Sequence, residues 1–174
     1  MSCHRKGGAA ANALIAVVIA MCCALSGCGK SSYGANDTVD TTSARGGIEW
    51  YPSMQLGRLA DALARAGSSG RTFGGGSSFH YVESRRDRSG SPEIHDQWVD
   101  LTIVQSGRAT IISGGRVNGG TLATGGEHRG GTIVGGVTQR VAAGDFFVVP
   151  AGVPHQFQVA RGDSIRYLTI KVAR

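Results

Sequence analysis

The sequence predicts an all-β barrel preceded by one short helix, and three observations lead to this fold class. Short apolar runs recur from Phe79 to the end of the chain and are separated by Gly, Asp, Ser or Pro, which is typical of sandwiches and barrels. Only residues 54–66 show helical spacing of apolar residues instead. The four cysteines lie at positions 3, 22, 23 and 28, so the later part of the chain has no disulfide and depends on a packed core.

The first 28 residues have the pattern of an export signal. A basic start with Arg5 and Lys6 is followed by the uncharged, mostly apolar stretch 9–25, which is short for a bilayer-spanning helix. The stretch ends in Leu-Ser-Gly-Cys28, which resembles the bacterial lipobox whose cysteine is lipidated. We therefore expect a lipoprotein signal over 1–28, lipidation of Cys28 and an exported, membrane-anchored protein facing the periplasm or extracytoplasmic side. An ordinary signal or an uncleaved anchor is the alternative.

Residues 29–47 predict a flexible tether, because they are rich in Ser, Thr, Gly and Asp and lack apolar periodicity. The domain that follows is assigned to 48–174. A helix is expected from Met54 to Ala66, with Leu56, Leu59 and Leu63 on one face and Gly67 at its end. Its expected role is to cover the barrel.

The charge of the chain argues against a nucleic-acid partner. The net charge is +6 and falls to +4 without the basic residues of the signal. The only basic cluster, residues 85–88, lacks interleaved aromatic residues, which makes it a weak nucleic-acid signal. A solvated hairpin is the expected structure of this cluster.

Nine strands are expected in the barrel, since each candidate run is short and bounded by turn residues. They are Phe79–Ser84, Pro92–His95, Val99–Gln105, Arg108–Ser113, Gly131–Val134, Thr138–Val141, Asp145–Val149, His155–Val159 and Ser164–Val172. Residues 114–136 contain five Gly-Gly pairs, and we expect an extended loop and hairpin inserted into the barrel there. Insertions of this length are often functional or mobile.

One segment carries a specific motif. Gly144 is followed by five residues, then by Pro150-Ala-Gly152, two residues and His155. This spacing is similar to the second motif of the cupins, and the resemblance covers about Phe79 to Val172. It implies a cupin-type double-stranded β-helix, or jelly-roll, barrel with His155 facing the interior.

The first cupin motif is present in an altered form. With Gly107 as the anchor, the glutamate position of the family falls on Asp100, and its two histidine positions fall on Glu93 and His95. Another register would make His95 the first ligand and Gln97 the second, but it leaves only two residues before Asp100. Glu93 and His95 are two apart and so share a face of their strand.

The resemblance implies a site formed by Glu93, His95, Asp100 and His155. Such a set of imidazoles and carboxylates suits one divalent transition metal, Fe, Mn, Ni or Zn, without choosing among them. Glu93 is also a candidate catalytic base. Each residue has a structural alternative: a barrel-end role for His155, a contact to another ligand for Asp100, and a salt bridge to an arginine of the preceding hairpin for Glu93. We expect the remaining candidates to be structural, solvated or part of the apolar wall: His80, His128, Trp98, Phe147, Val149 and Phe157.

The function predicted on this basis is metal-dependent binding or turnover of a small molecule in the cell envelope. If the chain is an enzyme, the resemblance implies a dioxygenase, isomerase or decarboxylase, although fold alone cannot choose. Two alternatives stay open: a non-enzymatic sensor or binding module held at the membrane, and a structural barrel without metal. The sequence also leaves a homodimer open.

Overall fold

The computed structural model describes residues 48–174, which form one helix and twelve strands. The helix α1 spans Ser53–Ala66. The strands are β1 Gly70–Gly75, β2 Phe79–Arg86, β3 Glu93–His95, β4 Trp98–Ser113, β5 Arg116–Asn118, β6 Thr121–Ala123, β7 Glu127–Arg129, β8 Thr132–Val134, β9 Val137–Ala142, β10 Phe146–Val149, β11 His155–Gln158 and β12 Ile165–Ala173. The predicted signal (1–28) and tether (29–47) lie outside the described residues. Within 48–174, no helix has both the length and the apolar character that crossing a bilayer requires.

The helix covers the outer side of the sheet, as the sequence predicts. It begins one residue earlier than expected and buries Leu59 and Leu63. Gly67 ends it with a φ of 63° and donates its backbone N–H to the carbonyl of Ala64. Contacts with β2 fix the helix, because its apolar stripe needs a partner surface.

The strands form an all-β architecture in which every paired strand is antiparallel. The main sheet has the order β1-β2-β12-β4-β11-β3-β7-β6, with β9 and β10 paired to β4 off this path, and β5 pairs with β8 separately. This order interleaves strands distant in sequence, so it brings β3 and β11 together on one side of the barrel. The predicted all-β fold is confirmed.

Strand β4 joins the two halves of the barrel and differs from its prediction. Two strands were expected, Val99–Gln105 and Arg108–Ser113, but one strand of 16 residues runs through both. Gly107 permits this continuity, since its φ is 75° and a Cβ there would lie 1.9 Å from the carbonyl oxygen of Ser164. The chain therefore bends at Gly107 without ending the strand.

The glycine-rich insertion is more ordered than its prediction as a loop and hairpin. Residues 114–136 contain four short strands, β5 to β8. Glycine pairs such as Gly119-Gly120 have positive φ and form the turns between them. Strand β7 pairs with β3, and this pairing brings the insertion to the functional site. Strand β1 was also not expected, because five of its six residues are Gly, Arg or Thr and only Phe73 is buried.

The apolar core occupies the interior of the barrel below an internal cavity. Its buried members are Val104, Ile111, Val141, Val149, Phe157, Ile165 and Tyr167. Three of them, Val149, Phe157 and Tyr167, also line the cavity. The core thus supports the floor of the site directly, and a change in its packing reaches the cavity wall.

Candidate metal centre

Three of the four predicted ligands converge in the cavity. One donor atom from each of Glu93, His95 and His155 lies within 4.8 Å of the other two. The Nε2 of His95 is 3.6 Å from a carboxylate oxygen of Glu93. His95 is 4% and His155 5% exposed, so the group lies inside the protein rather than on its surface.

Strand register accounts for this convergence. In the antiparallel pair β11–β3, His155 lies directly opposite Glu93, which brings their Cβ atoms to about 5 Å. Glu93 and His95 share a face of β3 because side chains alternate along a strand. The turn at Pro150–Gly152 precedes His155, and the N–H of Gly152 donates to the carbonyl of His95 at 2.9 Å. The motif turn therefore positions both histidine-bearing strands.

Asp100 lies beside this group but has a partner of its own. Its Oδ2 is 3.6 Å from the Nε2 of His95. Both of its oxygens accept hydrogen bonds from the Nζ of Lys171, at 2.6 and 2.9 Å. The pair forms because Lys171 of β12 lies opposite Asp100 of β4. A ligand role for Asp100 stays a prediction.

Glu127, a residue that the sequence analysis did not single out, orients His95. The Nδ1–H of His95 donates to the Oε2 of Glu127 at 2.6 Å. This bond assigns the proton to Nδ1, so Nε2 faces Glu93 and Asp100 with a lone pair. A carboxylate on the far nitrogen of a histidine is the usual outer partner of a metal-bound imidazole. Nothing in the local pattern of the insertion marks Glu127, since its position follows only from the pairing of Glu127 with His95 in β7–β3.

Two arginines hold Glu93. Its Oε1 forms an ion pair with Arg129 at 2.5 Å and accepts a hydrogen bond from Arg86 at 3.4 Å. Burial by itself raises the pKa of Glu93, but the neighbouring His95 and the charges of Arg129 and Arg86 outweigh it and lower the pKa from 4.5 to about 2. A carboxylate of this pKa is a weak base at neutral pH, which favours a ligand role over the predicted role as base.

Arg86 corrects part of the sequence interpretation. The cluster 85–88 was expected to be a solvated hairpin, but the side chain of Arg86 is only 15% exposed. It donates to the hydroxyl of Tyr167 at 2.8 Å and lies over the ring of Phe157. Its contact with Glu93 is the salt bridge named as the structural alternative for that residue, and it coexists with the convergence of the three donors.

His155 is also in the neutral form that a metal ligand requires. The Nδ1 of His155 lies 3.2 Å from the carbonyl oxygen of Val153, so Nδ1 donates and Nε2 carries the lone pair. Burial lowers the pKa of His155, which keeps the ring neutral at neutral pH. Neutral imidazole is the form that binds metals.

The other histidines lie outside this group. His80 lines the cavity and packs edge-to-face on Trp98 with ring centroids 4.5 Å apart. His128 lies on β7 with a side chain 39% exposed and 3.7 Å from Asp96. Neither belongs to the converging set, in line with the structural and solvated roles expected for them.

The cavity has a volume of about 440 Å³, within the range of small-molecule sites. The four predicted wall residues, Trp98, Phe147, Val149 and Phe157, all line it. The lining also contains charged side chains such as Arg129 and Lys171. This mixture fits a small polar molecule bound next to the three donors.

The donor set fits a divalent transition metal. An ion about 2.1 Å from each donor requires donors no more than about 4.2 Å apart. The 3.6 Å between His95 and Glu93 meets this condition, whereas the 4.8 Å that bounds all three donors means that the set would close slightly around an ion. Two imidazoles and one carboxylate suit Fe, Mn, Ni and Zn alike, and these residues would hold such an ion at the cavity wall.

No protein-family model and no curated protein matches the chain. Solved structures do: a protein from Bacillus halodurans is 14% identical, with a TM-score of 0.51 over 75% of this chain and 85% of that one. Two other similar structures, a cupin domain and a polyketide cyclase, have TM-scores below 0.5. The cupin domain of Cnp3 from Schizosaccharomyces pombe is 10% identical, with a TM-score of 0.45 over 60% of each chain.

The polyketide cyclase RemF from Streptomyces resistomycificus is 20% identical, with a TM-score of 0.42 over 59% of this chain. This chain spans 63% of that cyclase, less than two thirds of its length. Cupin and double-stranded β-helix proteins recur among the similar structures. At these identities the similarity concerns the fold alone, and residues 48–174 have the antiparallel all-β architecture that the sequence predicts.

Proposed function

We propose that this cupin-type barrel uses a divalent transition metal to bind or convert a small molecule in the cell envelope. The observation that carries the proposal is the convergence of Glu93, His95 and His155 within 4.8 Å at the wall of a cavity of about 440 Å³. The hydrogen bond from His95 to Glu127 adds the outer contact that orients a metal-bound imidazole.

The metal, when bound, would supply Lewis-acid chemistry or activate water or dioxygen. The residues around the site orient the histidine ligand and set the charge of the carboxylate. Glu127 fixes the proton of His95 on Nδ1. Arg86 and Arg129 keep Glu93 ionised, and apolar side chains such as Phe147 and Phe157 supply contact surface for a ligand. These roles serve a binding protein as well as a dioxygenase, isomerase or decarboxylase.

The cellular location is part of the proposal. It is supported by the export pattern of residues 1–28 and by the lipobox-like sequence ending in Cys28. A lipid on Cys28 and the tether 29–47 would hold the barrel near a membrane surface.

A metal-free structural barrel is the second candidate, because the buried charges of the site already have partners. Glu93 is paired with Arg86 and Arg129, and Asp100 is paired with Lys171. Buried ion pairs of this kind can hold a site together without a metal. Metal content distinguishes the two candidates.

The test is metal analysis of the full chain purified without chelator, with His95→Ala and His155→Ala as variants and His128→Ala as the matched control. We expect about one metal per chain in the wild type and the control, and little in the two variants. Bound metal stabilises the folded state by mass action, so chelation should lower the melting temperature of the wild type and the control only. Near-zero metal in the wild type would favour the structural barrel, and full occupancy in His155→Ala would show that the metal is not held at this site.

A further inference from the structure

The cavity wall next to the three donors carries a lysine that the metal centre does not use. Lys171 lies on β12 and lines the cavity, with its side chain 15% exposed. Its Nζ donates to both oxygens of Asp100. An ammonium has three N–H donors, and within residues 48–174 no further acceptor for Lys171 is found. The third donor therefore remains available to a molecule in the cavity.

Asp100 is shared between the lysine and the metal centre. Its Oδ2 lies 2.9 Å from the Nζ of Lys171 and 3.6 Å from the Nε2 of His95. The corresponding distance from His95 to Glu93 is also 3.6 Å. A cation at His95 attracts this oxygen in competition with Lys171. Loading of the site would therefore weaken the interaction of Asp100 with Lys171 and leave the ammonium more accessible to a new anion.

The charge of the lining favours an anionic ligand. With the histidines neutral, the lining contains four basic residues, Arg71, Arg86, Arg129 and Lys171, and three acidic residues, Glu93, Asp100 and Glu127. A divalent ion raises the positive excess from one to three. In a recessed cavity such an excess attracts anions more strongly than it would on an open surface.

On these grounds, and resting on the proposed function, we propose that the cavity binds a small organic carboxylate whose anionic group is received by Lys171. Arg86 and Arg129 are less suited to this role because both bind Glu93, and their other contacts are with Tyr167 and Glu127. The ligand then lies between Lys171 and the open side of the metal centre. Lys171 acts here as a specificity-determining residue.

The test compares carboxylates with their neutral amides in calorimetric titrations of the zinc-loaded full chain at constant ionic strength. The probes are pyruvate, succinate and benzoate and the corresponding amides. The wild type should bind at least one carboxylate about tenfold or more tightly than its amide, the factor expected of a charge-assisted hydrogen bond. Lys171→Gln should remove this preference and leave amide binding unchanged, and Lys171→Arg should restore most of it.

Two further variants control for charge and folding. Arg108→Gln removes the same charge from an exposed side chain that pairs with Asp163, and it should retain the preference. If Lys171→Gln does not fold because Asp100 is left without a partner, the double variant Asp100→Asn/Lys171→Gln removes both charges and should also lack the preference. Equal binding of carboxylate and amide by the wild type in all three pairs, or an unchanged preference in the Lys171 variants, would overturn the inference.

Metal content, measured on the same samples, separates this inference from the proposed function. If the wild type takes up zinc but shows no carboxylate preference, the metal centre stands and the Lys171 subsite is wrong. If it takes up no zinc, the proposed function fails. The titrations are then carried out on the metal-free chain. Carboxylate binding that depends on Lys171 would support the Lys171 subsite, and no such binding would overturn it.

Discussion

The glycine-rich insertion contributes to the metal centre through the hydrogen bond between His95 and Glu127. This contribution can be measured as a change in metal affinity. The Nδ1 of His95 and the Oε2 of Glu127 are 2.6 Å apart, and the histidine is 4% exposed. Glu127→Gln keeps an acceptor but removes the charge, whereas Glu127→Ala removes both. Both variants should bind metal more weakly, because the imidazole loses basicity and, in the alanine variant, its fixed orientation.

The size of the effect follows from the geometry. Removal of an outer partner of a metal-bound histidine typically weakens metal binding about 10- to 100-fold. The Glu127 side chain is 26% exposed, so water can replace part of the lost contact. We therefore expect roughly tenfold for Glu127→Gln and up to about 100-fold for Glu127→Ala.

The assay is competition for Zn(II) against a chromophoric chelator, at equilibrium and with the full chain. Asp163→Asn is the matched control, because it also removes one carboxylate but breaks only an exposed pair with Arg108. Its zinc affinity should equal that of the wild type. An unchanged zinc affinity in Glu127→Ala would refute the reasoning, since His95 would then be oriented by packing alone.

Three further predictions concern the core, the pH response and export. Ile165 is 1% exposed, so Ile165→Ala should lower the free energy of unfolding by about 3 kcal/mol in chemical denaturation. Val137 is exposed, and Val137→Ala should lower it by less than about 0.5 kcal/mol. Equal losses of unfolding free energy in the two variants would contradict the placement of Ile165 in the core. In the metal-free chain, the lowered pKa of Glu93 stabilises the fold above pH 4.5, and this stabilisation should disappear as the pH falls from 4.5 to about 2. Glu93→Gln should make the melting temperature depend less on pH over that range. The same pH dependence in the variant and the wild type would contradict a lowered pKa of Glu93. Cys28→Ala should abolish acyl labelling and move the protein out of the membrane fraction, and unchanged labelling would rule out lipidation at Cys28.

The resemblance of two motifs to those of the cupins pointed to three residues that converge in the structure, Glu93, His95 and His155. Glu93 and His95 follow from the two-residue period of a strand, and His155 follows from the turn at Pro150–Gly152. The structure brings these three together. The regular apolar pattern likewise predicted most strands and the helix to within a few residues.

Residues that reach the site through strand pairing could not be found in this way. Glu127 faces His95 because β7 pairs with β3, and Lys171 faces Asp100 because β12 pairs with β4. Pairing between distant segments is set by tertiary packing and leaves no local period in the sequence. The three-residue strands of the insertion are also too short to show a period, and the continuity of β4 depends on one backbone conformation at Gly107.

The insertion gives the site a kinetic property that the rest of the barrel lacks. None of residues 114–136 is buried, so little apolar surface opposes their separation from β3. Segments of this kind open far more often than the whole domain unfolds. Each opening of β7 would withdraw Glu127 from His95 and so make release of a bound ion easier at that moment. The residence time of a metal would then depend on the opening of this peripheral segment as well as on the three donors.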